Sequence, residues 1–312
     1  MQKTKTMSDK KTKYLQFLIL CLIWSTTWGM IKIGAEETPP MVGLAIRFII
    51  ASMILFSIIL IKKRKISSDK SSVVTYLIAG IFSQTLSYYC TYWGTQYVTS
   101  GLSAILWATM PLTVGIFAHF MIREERLNWL RVTSVCVSIF GVILILSDQK
   151  LVFSWQILVG SFVVLLAVLL GTYPAVYIKK NQKSVDPLVL TAMSLGIAAI
   201  CHSIGALVMG QWHEMDWNLK NLGAAAYLGI FGSAIAFFVY YSLLRKISII
   251  KLSFINFVTP VFAAALGWLF LSEIITFREI IGTFVILTGL FFFDFRKYLS
   301  FINNGLMRKR KS

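Results

Sequence analysis

Few side chains in this 312-residue sequence are placed to do covalent chemistry. Its 13 Asp and Glu residues fall in the breaks between apolar runs: Glu36, Glu37, Asp148, Glu214, Asp216, Glu273 and Glu279 on one set of connections, the other six on or beside the opposite set. His119 and His202 stand alone within apolar runs, and His213 lies between two of them. There is no His-Glu-x-x-His and no Gly-x-Ser-x-Gly, and a catalytic site needs a nucleophile beside a base, a carboxylate pair or clustered metal ligands. No catalytic residue, metal site or cofactor is therefore expected. Cys21, Cys90, Cys136 and Cys201 each interrupt an apolar run without a Cys-x-x-Cys pair and read as small packing residues. What remains are polar and aromatic groups in the middle of apolar runs: Trp24, Gln84, Tyr88, Trp107, Tyr173, Phe238, Tyr241 and Asn256, with one charge, Arg47. Such groups bind rather than react. Tyr O–H and Trp N–H groups need partners away from water, so these side chains predict a polar hollow that holds a small solute.

The elements that must position them are membrane spans. At 57% hydrophobic and 14% charged residues, the chain lacks the polar surface of a soluble domain, in which about 25% of residues are charged. A spanning helix needs roughly 20 mostly apolar residues. Apolar runs lie near 14–33, 39–61, 73–96, 98–122 and 131–147, then near 155–178, 187–209, 221–244, 248–271 and 277–294. These predict an all-α, polytopic protein of ten transmembrane helices with both termini on one side. The run after Lys13 continues to Ile33 without a small-residue cleavage site, so it reads as a span rather than a secretory signal. The net charge of +17 might suggest nucleic acid, but position decides otherwise. With the termini inside, 25 of the 30 Lys and Arg residues fall on inner segments, and only Lys32, Lys150, Lys220 and Arg278 fall on outer ones. That asymmetry predicts an N-in, C-in orientation in the cell membrane; the basic charge faces the lipid bilayer, and no nucleic-acid partner is expected.

Self-similarity sets the next level. Ala79-Gly80-Ile81-Phe82 corresponds to Leu228-Gly229-Ile230-Phe231 at an offset of 149 residues, and the same offset places Tyr88-Tyr89 on Phe237-Phe238, Tyr92 on Tyr241 and Pro111 on Pro260. After a slip of one residue Glu125 pairs with Glu273 and Gly141 with Gly289. Each repeat holds five spans, an odd number, so the two copies must enter the membrane from opposite faces. Inverted repeats suit alternating access to a site at the midplane. The expected organisation is an inner tail over 1–13, a first five-helix repeat over 14–147, an external connection over 148–154, a second repeat over 155–295 and a basic inner tail over 296–312.

The motifs at these spacings resemble the drug/metabolite transporter superfamily, EamA type, over about 14–295. Trp24-Ser25-Thr26-Thr27-Trp28-Gly29 with Lys32 is similar to the family's opening motif, and Pro40 with Arg47-Phe48 and Ala51 to its second-span motif. Pro111 followed by Glu125-Arg126-Leu127, and Pro260 followed by Leu271-Ser272-Glu273, are similar to the proline helices and their exits. The family's Leu-Gly-Glu is replaced by Arg123-Glu124-Glu125 in one half, and Ser272 stands for its Gly in the other. The resemblance implies transport or exchange of a small organic solute and leaves the solute open.

Proline inside a helix lacks an N–H and clashes with the carbonyl four residues earlier, so Pro111 frees the carbonyl of Trp107 and Pro260 that of Asn256. Freed carbonyls in hydrocarbon need protein or cavity water, which marks both kinks as walls of the hollow. Arg47 has two readings: a clamp for an anionic group, or a structural charge bonding helix-end carbonyls toward Glu36 or Glu37. Insertion at mid-span costs about 2.5–3.5 kcal/mol. The 13 Val, Leu, Ile and Phe residues of its run offset this at roughly 0.3–0.6 kcal/mol each. The structural reading is preferred, because the resemblance carries an Arg here across varied solutes. With no carboxylate in mid-membrane to titrate, facilitated diffusion or exchange of a neutral or zwitterionic, partly apolar solute such as an amino acid is expected. Proton-coupled efflux of organic cations and flipping of a lipid-linked metabolite are the alternatives, and oligomeric state is not legible.

Overall fold

The computed structural model describes residues 2–35, 38–98, 100–125, 128–146, 154–181, 185–262 and 277–293. Glu36 and Glu37, the connection at 148–153, the far end of the ninth apolar run with Glu273, and the tail from 296 lie outside them, as does the side chain of Trp28. Among the described residues regular structure is helical throughout, as a chain must be when each backbone N–H and C=O has to be satisfied within its own segment.

Helices occupy all ten apolar runs, the ninth as far as residue 262. They are α1 (Gln2–Ala35), α2 (Pro40–Ile61), α3 (Lys70–Leu77) continuing into α4 (Tyr88–Gly94), α5 (Ser100–Trp107), α6 (Met110–Met121), α7 (Trp129–Leu146) and α8 (Trp155–Lys180). Then come α9 (Pro187–Val208), α10 (Leu219–Tyr227) continuing into α11 (Ala236–Leu244), α12 (Ile249–Ser253), α13 (255–262) and α14 (Phe277–Phe293). Five stretches have the length and apolarity to cross a membrane: Lys11–Ile31, Pro40–Ile61, Trp155–Lys180, Pro187–Val208 and Leu219–Leu244. Four shorter helices, Ile105–Met121, Trp129–Ile145, Ile249–Phe262 and Ile280–Gly289, are apolar as well. The first helix starts at Gln2, twelve residues before the apolar run, so it carries the basic N-terminal segment as its own first turns.

Helix starts follow from local chemistry. Asp69 caps α3, accepting from the backbone N–H of Ser72 at 3.0 Å and its hydroxyl at 2.7 Å, while Ser67 donates to the same carboxylate. Asp186 caps α9 through the N–H of Leu188 at 2.8 Å, and Asn218 caps α10 through that of Asn221 at 2.8 Å. Pro40 and Pro187 open α2 and α9 as N-terminal prolines, where a missing N–H is harmless.

Contacts between helices come in pairs. α1 packs on α10 and α11, and α8 packs on α4; α2 and α9 pack on each other, and α7 packs along α14. The α7–α14 seam is set by glycine: a Cβ on Gly141 would meet the Gly282 carbonyl oxygen at 2.7 Å, and one on Gly282 the Gly141 oxygen at 2.6 Å. Small residues let helix backbones approach this closely where lipid provides no hydrophobic drive.

Candidate functional site

Two helices change their winding on the way through the bundle. Between α3 and α4 the chain is π-helical over Ile78–Ser87, and between α10 and α11 over Leu228–Ile235. A π-helical stretch rotates the side chains beyond it relative to those before and is frequent at functional sites. α2 lies against the second stretch and α9 against the first. The breaks in the proline helices are less alike. The first falls at Ala108–Thr109, with Pro111 in the opening turn of α6. In the second half the turn is at Phe254, six residues before Pro260, and Pro260 lies within α13.

These interruptions enclose a cavity of about 120 Å³, well above the roughly 10–15 Å³ that one water needs on the same measure. Trp24, Thr27 and Ile31 of α1 form one wall, and Tyr88, Thr91 and Tyr92 of α4 another. Phe237, Tyr240 and Tyr241 of α11 face them, Trp107, Met110, Ser253, Asn256 and Thr259 come from the interrupted helices, and Gly171 and Ala175 come from α8. The aromatic rings hold one another: Trp24 contacts Phe237 at 5.9 Å and Tyr240 at 5.7 Å, and Tyr88 meets Phe237 edge-on at 5.9 Å. Five pairs of lining residues are each 149 positions apart: Tyr88 with Phe237, Thr91 with Tyr240, Tyr92 with Tyr241, Trp107 with Asn256 and Met110 with Thr259.

The cavity thus brings together Trp24, Tyr88, Trp107, Tyr241 and Asn256 of the residues singled out from sequence. Three others lie off it. Gln84 is fully buried behind the wall, its amide donating to the Tyr241 hydroxyl at 3.4 Å. Tyr173 is exposed on the outer face of α8 among Phe82, Phe117 and Tyr177, and Phe238 is exposed as well. Phe238 points away because Phe237 takes the inward place, and one residue is about 100° around a helix. Thr91, Phe237 and Tyr240 were missed by sequence reasoning; the 149-residue offset carried the signal for Phe237, the counterpart of Tyr88, whereas Thr91 and Tyr240 pair only with each other.

Arg47 is the one charge in the wall, and it is 1% exposed. Its Nε donates to the Ser233 hydroxyl at 2.7 Å, Nη1 to the Tyr92 hydroxyl at 3.1 Å and Nη2 to the Gly232 carbonyl at 3.2 Å. The guanidinium carbon also sits 5.0 Å from the Tyr88 ring centre, within cation–π reach. Arg47 therefore ties α2 to the second π-helical stretch and to α4. Trp107 places its indole N–H at the wall, buried and without a hydrogen-bond partner. Asn256 donates to the Ser253 carbonyl at 3.1 Å and lies 3.2 Å from the Met110 sulfur. No Asp or Glu is among the lining residues. His202 lies outside the cavity, stacked on Phe48, with Nε2 3.3 Å from the Gln84 carbonyl. A carbonyl only accepts, so Nε2 carries the proton. His119 is exposed beside Phe120.

One connection beside the cavity is held by opposite charges. Glu125, 7% exposed, accepts from the Ser248 hydroxyl at 2.6 Å and from the backbone N–H of Ile249 at 3.1 Å. Lys179 donates to the carbonyls of Leu244 and Ile247, both at 2.8 Å. The anion meets the opening N–H groups of α12 and the cation the last carbonyl of α11 and that of Ile247 in the connection, the arrangement that unsatisfied helix ends favour.

The profile of EamA-like transporters matches the chain twice, over residues 11–147 and over 158–293. The chain belongs to the EamA-like transporter family. It is 27% identical over 277 residues to the uncharacterized transporter YoaV of Bacillus subtilis (strain 168), covering 89% of this chain and 94% of that protein. It is 26% identical over 282 residues to the inner membrane transporter YedA of Escherichia coli (strain K12), covering 90% of each. The S-adenosylmethionine/S-adenosylhomocysteine transporter of Chlamydia trachomatis serovar L2 is 24% identical over 268 residues, 82% of each chain. A solved crystal structure superposes with a TM-score of 0.75 at 16% identity, covering 90% of this chain and 96% of that one, which shows a shared fold. This EamA-like transporter is accordingly a multi-pass membrane protein, and its relatives carry the names of transporters rather than enzymes.

Proposed function

We propose that the protein moves a small, partly apolar organic solute, an amino acid or a related metabolite, by facilitated diffusion or exchange. Two five-helix halves, inverted relative to each other with both termini inside, present the central cavity first to one face and then to the other. The observation that carries this reading is the pairing of five cavity residues at a single 149-residue spacing. A site built from corresponding residues of two related halves offers a solute similar walls from either side, and inverted repeats around a midplane site are the usual architecture of alternating access. The aromatic walls suit an apolar group, while Asn256, Ser253 and Thr259 supply polar contacts. The Chlamydia relative is named for S-adenosylmethionine, itself an amino acid derivative, which favours solutes of that kind here. Without a carboxylate among the lining residues, a proton-coupled cation exporter lacks the titrating group it ordinarily uses.

The test is flux in proteoliposomes loaded with unlabelled amino acids and related metabolites, with and without a proton gradient. Counterflow of a labelled solute that survives collapse of the gradient is expected. Trp107→Ala and Asn256→Ala are each expected to lower it by about tenfold, what the loss of about 1.4 kcal/mol of solute binding produces, at unchanged membrane insertion. Flux that vanishes with the gradient, or variants as active as the parent at equal protein level, would refute the reading.

A further inference from the structure

The central cavity carries a fixed positive charge with no matching negative one among the described residues. Arg47 is 1% exposed, it is among the residues that line the cavity, and its three hydrogen-bond acceptors, a serine hydroxyl, a tyrosine hydroxyl and a peptide carbonyl, are all neutral. No carboxylate among the described residues pairs with it, and no Asp or Glu shares the cavity wall. A cation taken out of water loses several kcal/mol of solvation, which an anion in good geometry largely restores. The three bonds do not supply that anion. What they do is fix the plane of the guanidinium, from three directions, against the cavity.

We propose that the solute is a carboxylate and that Arg47 is the residue that reads it. The inference rests on the transport reading above and narrows it to solutes bearing a carboxylate beside an apolar or aromatic group. The planar guanidinium offers five N–H donors in a fork that matches a carboxylate, and three protein acceptors leave room for the solute's oxygens. The carboxylate docks at Arg47 beside Tyr92, and the apolar part lies across Trp24, Phe237 and Tyr240, whose rings pack together on the neighbouring wall. An ammonium group is not required. In this structure the guanidinium is almost closed off from the cavity, and the solute's carboxylate reaches it as the neighbouring side chains shift on binding. Organic cations without a carboxylate meet the Arg47 charge head-on and are excluded.

Matched triplets of solutes make the test independent of any variant. L-phenylalanine, 3-phenylpropionate and phenylalaninamide, with the corresponding sets built on leucine and methionine, are offered to the wild-type protein in proteoliposomes. The zwitterion and the plain acid of at least one set are expected to drive counterflow, and its amide to do so about tenfold less well or worse. A site built to hydrogen-bond a group discriminates strongly against the analogue that lacks it. Arg47→Lys, which keeps the charge and loses the fork, is expected to transport the acids more weakly and still refuse the amides. Arg47→Met is expected to lose the preference for acids altogether. Should Arg47→Met fail to insert, Tyr92→Phe, which removes one of the bonds fixing the guanidinium, is expected to narrow the ratio of acid to amide. Amides moving as fast as acids would overturn the role of Arg47 and leave the transport reading standing. No counterflow by any member of any set, with well-inserted protein, would overturn both.

Discussion

Arg47 shows how much a single residue's meaning depends on what surrounds it. In the sequence it is an arginine eight residues inside an apolar run, and a structural role toward Glu36 or Glu37 explains it well enough. Those two glutamates lie outside the described residues, and the arginine's partners prove to be Ser233, Gly232 and Tyr92, residues no local pattern connects to it. The same holds for Glu125. Its carboxylate accepts from Ser248 and the N–H groups of Ile249 and Ile250, more than 120 residues away. Glu125→Ala leaves those buried donors without an acceptor, at a cost of about 1–3 kcal/mol. It is expected to lower the unfolding midpoint in detergent, whereas Glu124→Ala, on the exposed neighbour, is expected to leave it unchanged. Asp69 carries a prediction with a pH sign. The hydroxyl of Ser67, then the hydroxyl and N–H of Ser72, hold its carboxyl down at about 2 from an ordinary 3.8. A group depressed in the folded state stabilises it above its unfolded value and loses that contribution as pH falls through the folded one. The α3 cap is therefore intact above about pH 4 and released toward pH 2, and the protection of the Ser72 N–H, measured against the intrinsic exchange rate at each pH, is expected to fall over that interval in the parent but not in Asp69→Asn.

At the scale of elements the sequence was most informative about where helices lie and least about how they are wound. Ten apolar runs and the prolines at Pro40 and Pro187 mark helices that the structure contains. The π-helical stretches over Ile78–Ser87 and Leu228–Ile235 leave no such trace, because apolar residues fit either winding equally well. Their effect is to reset rotation. That is why an aromatic residue beyond such a stretch could not be assigned a direction: Phe237 and Tyr240 turn inward, while Phe238 turns out. The offset of 149 residues was the better guide, since five pairs at that spacing line the cavity, although Trp24 is inward and its counterpart Tyr173 is not. Pro111 and Pro260 share that offset, yet the helix breaks at Ala108–Thr109 and at Phe254. The α7–α14 seam gives the clearest expectation at this scale. Gly282→Ala places a methyl 2.6 Å from the Gly141 carbonyl oxygen, which is backbone and cannot swing aside. Separation of the two helices is expected to cost about 1–3 kcal/mol, read as a lower unfolding midpoint. Gly223→Ala, with nothing within 4 Å of the new Cβ, is expected to be neutral or slightly stabilising.

The whole molecule is two related segments, each matched by the same family profile, that share one cavity between them. α1 packs on the two helices that flank the second π-helical stretch, and α8 on the first stretch and on α4, so the two segments are packed largely against each other. The proposed transport requires these contacts to rearrange so that either end of the cavity can open. Accessibility of Met110 and Thr259, partners at the 149-residue spacing that both line the cavity, tests this most directly. In a background with Cys21, Cys90, Cys136 and Cys201 replaced, Met110→Cys and Thr259→Cys are each exposed to a membrane-impermeant thiol reagent from one face at a time. Alternation between the halves requires both positions to be labelled from both faces, with solute slowing every reaction. Labelling of either position from one face alone, or of neither, would contradict it.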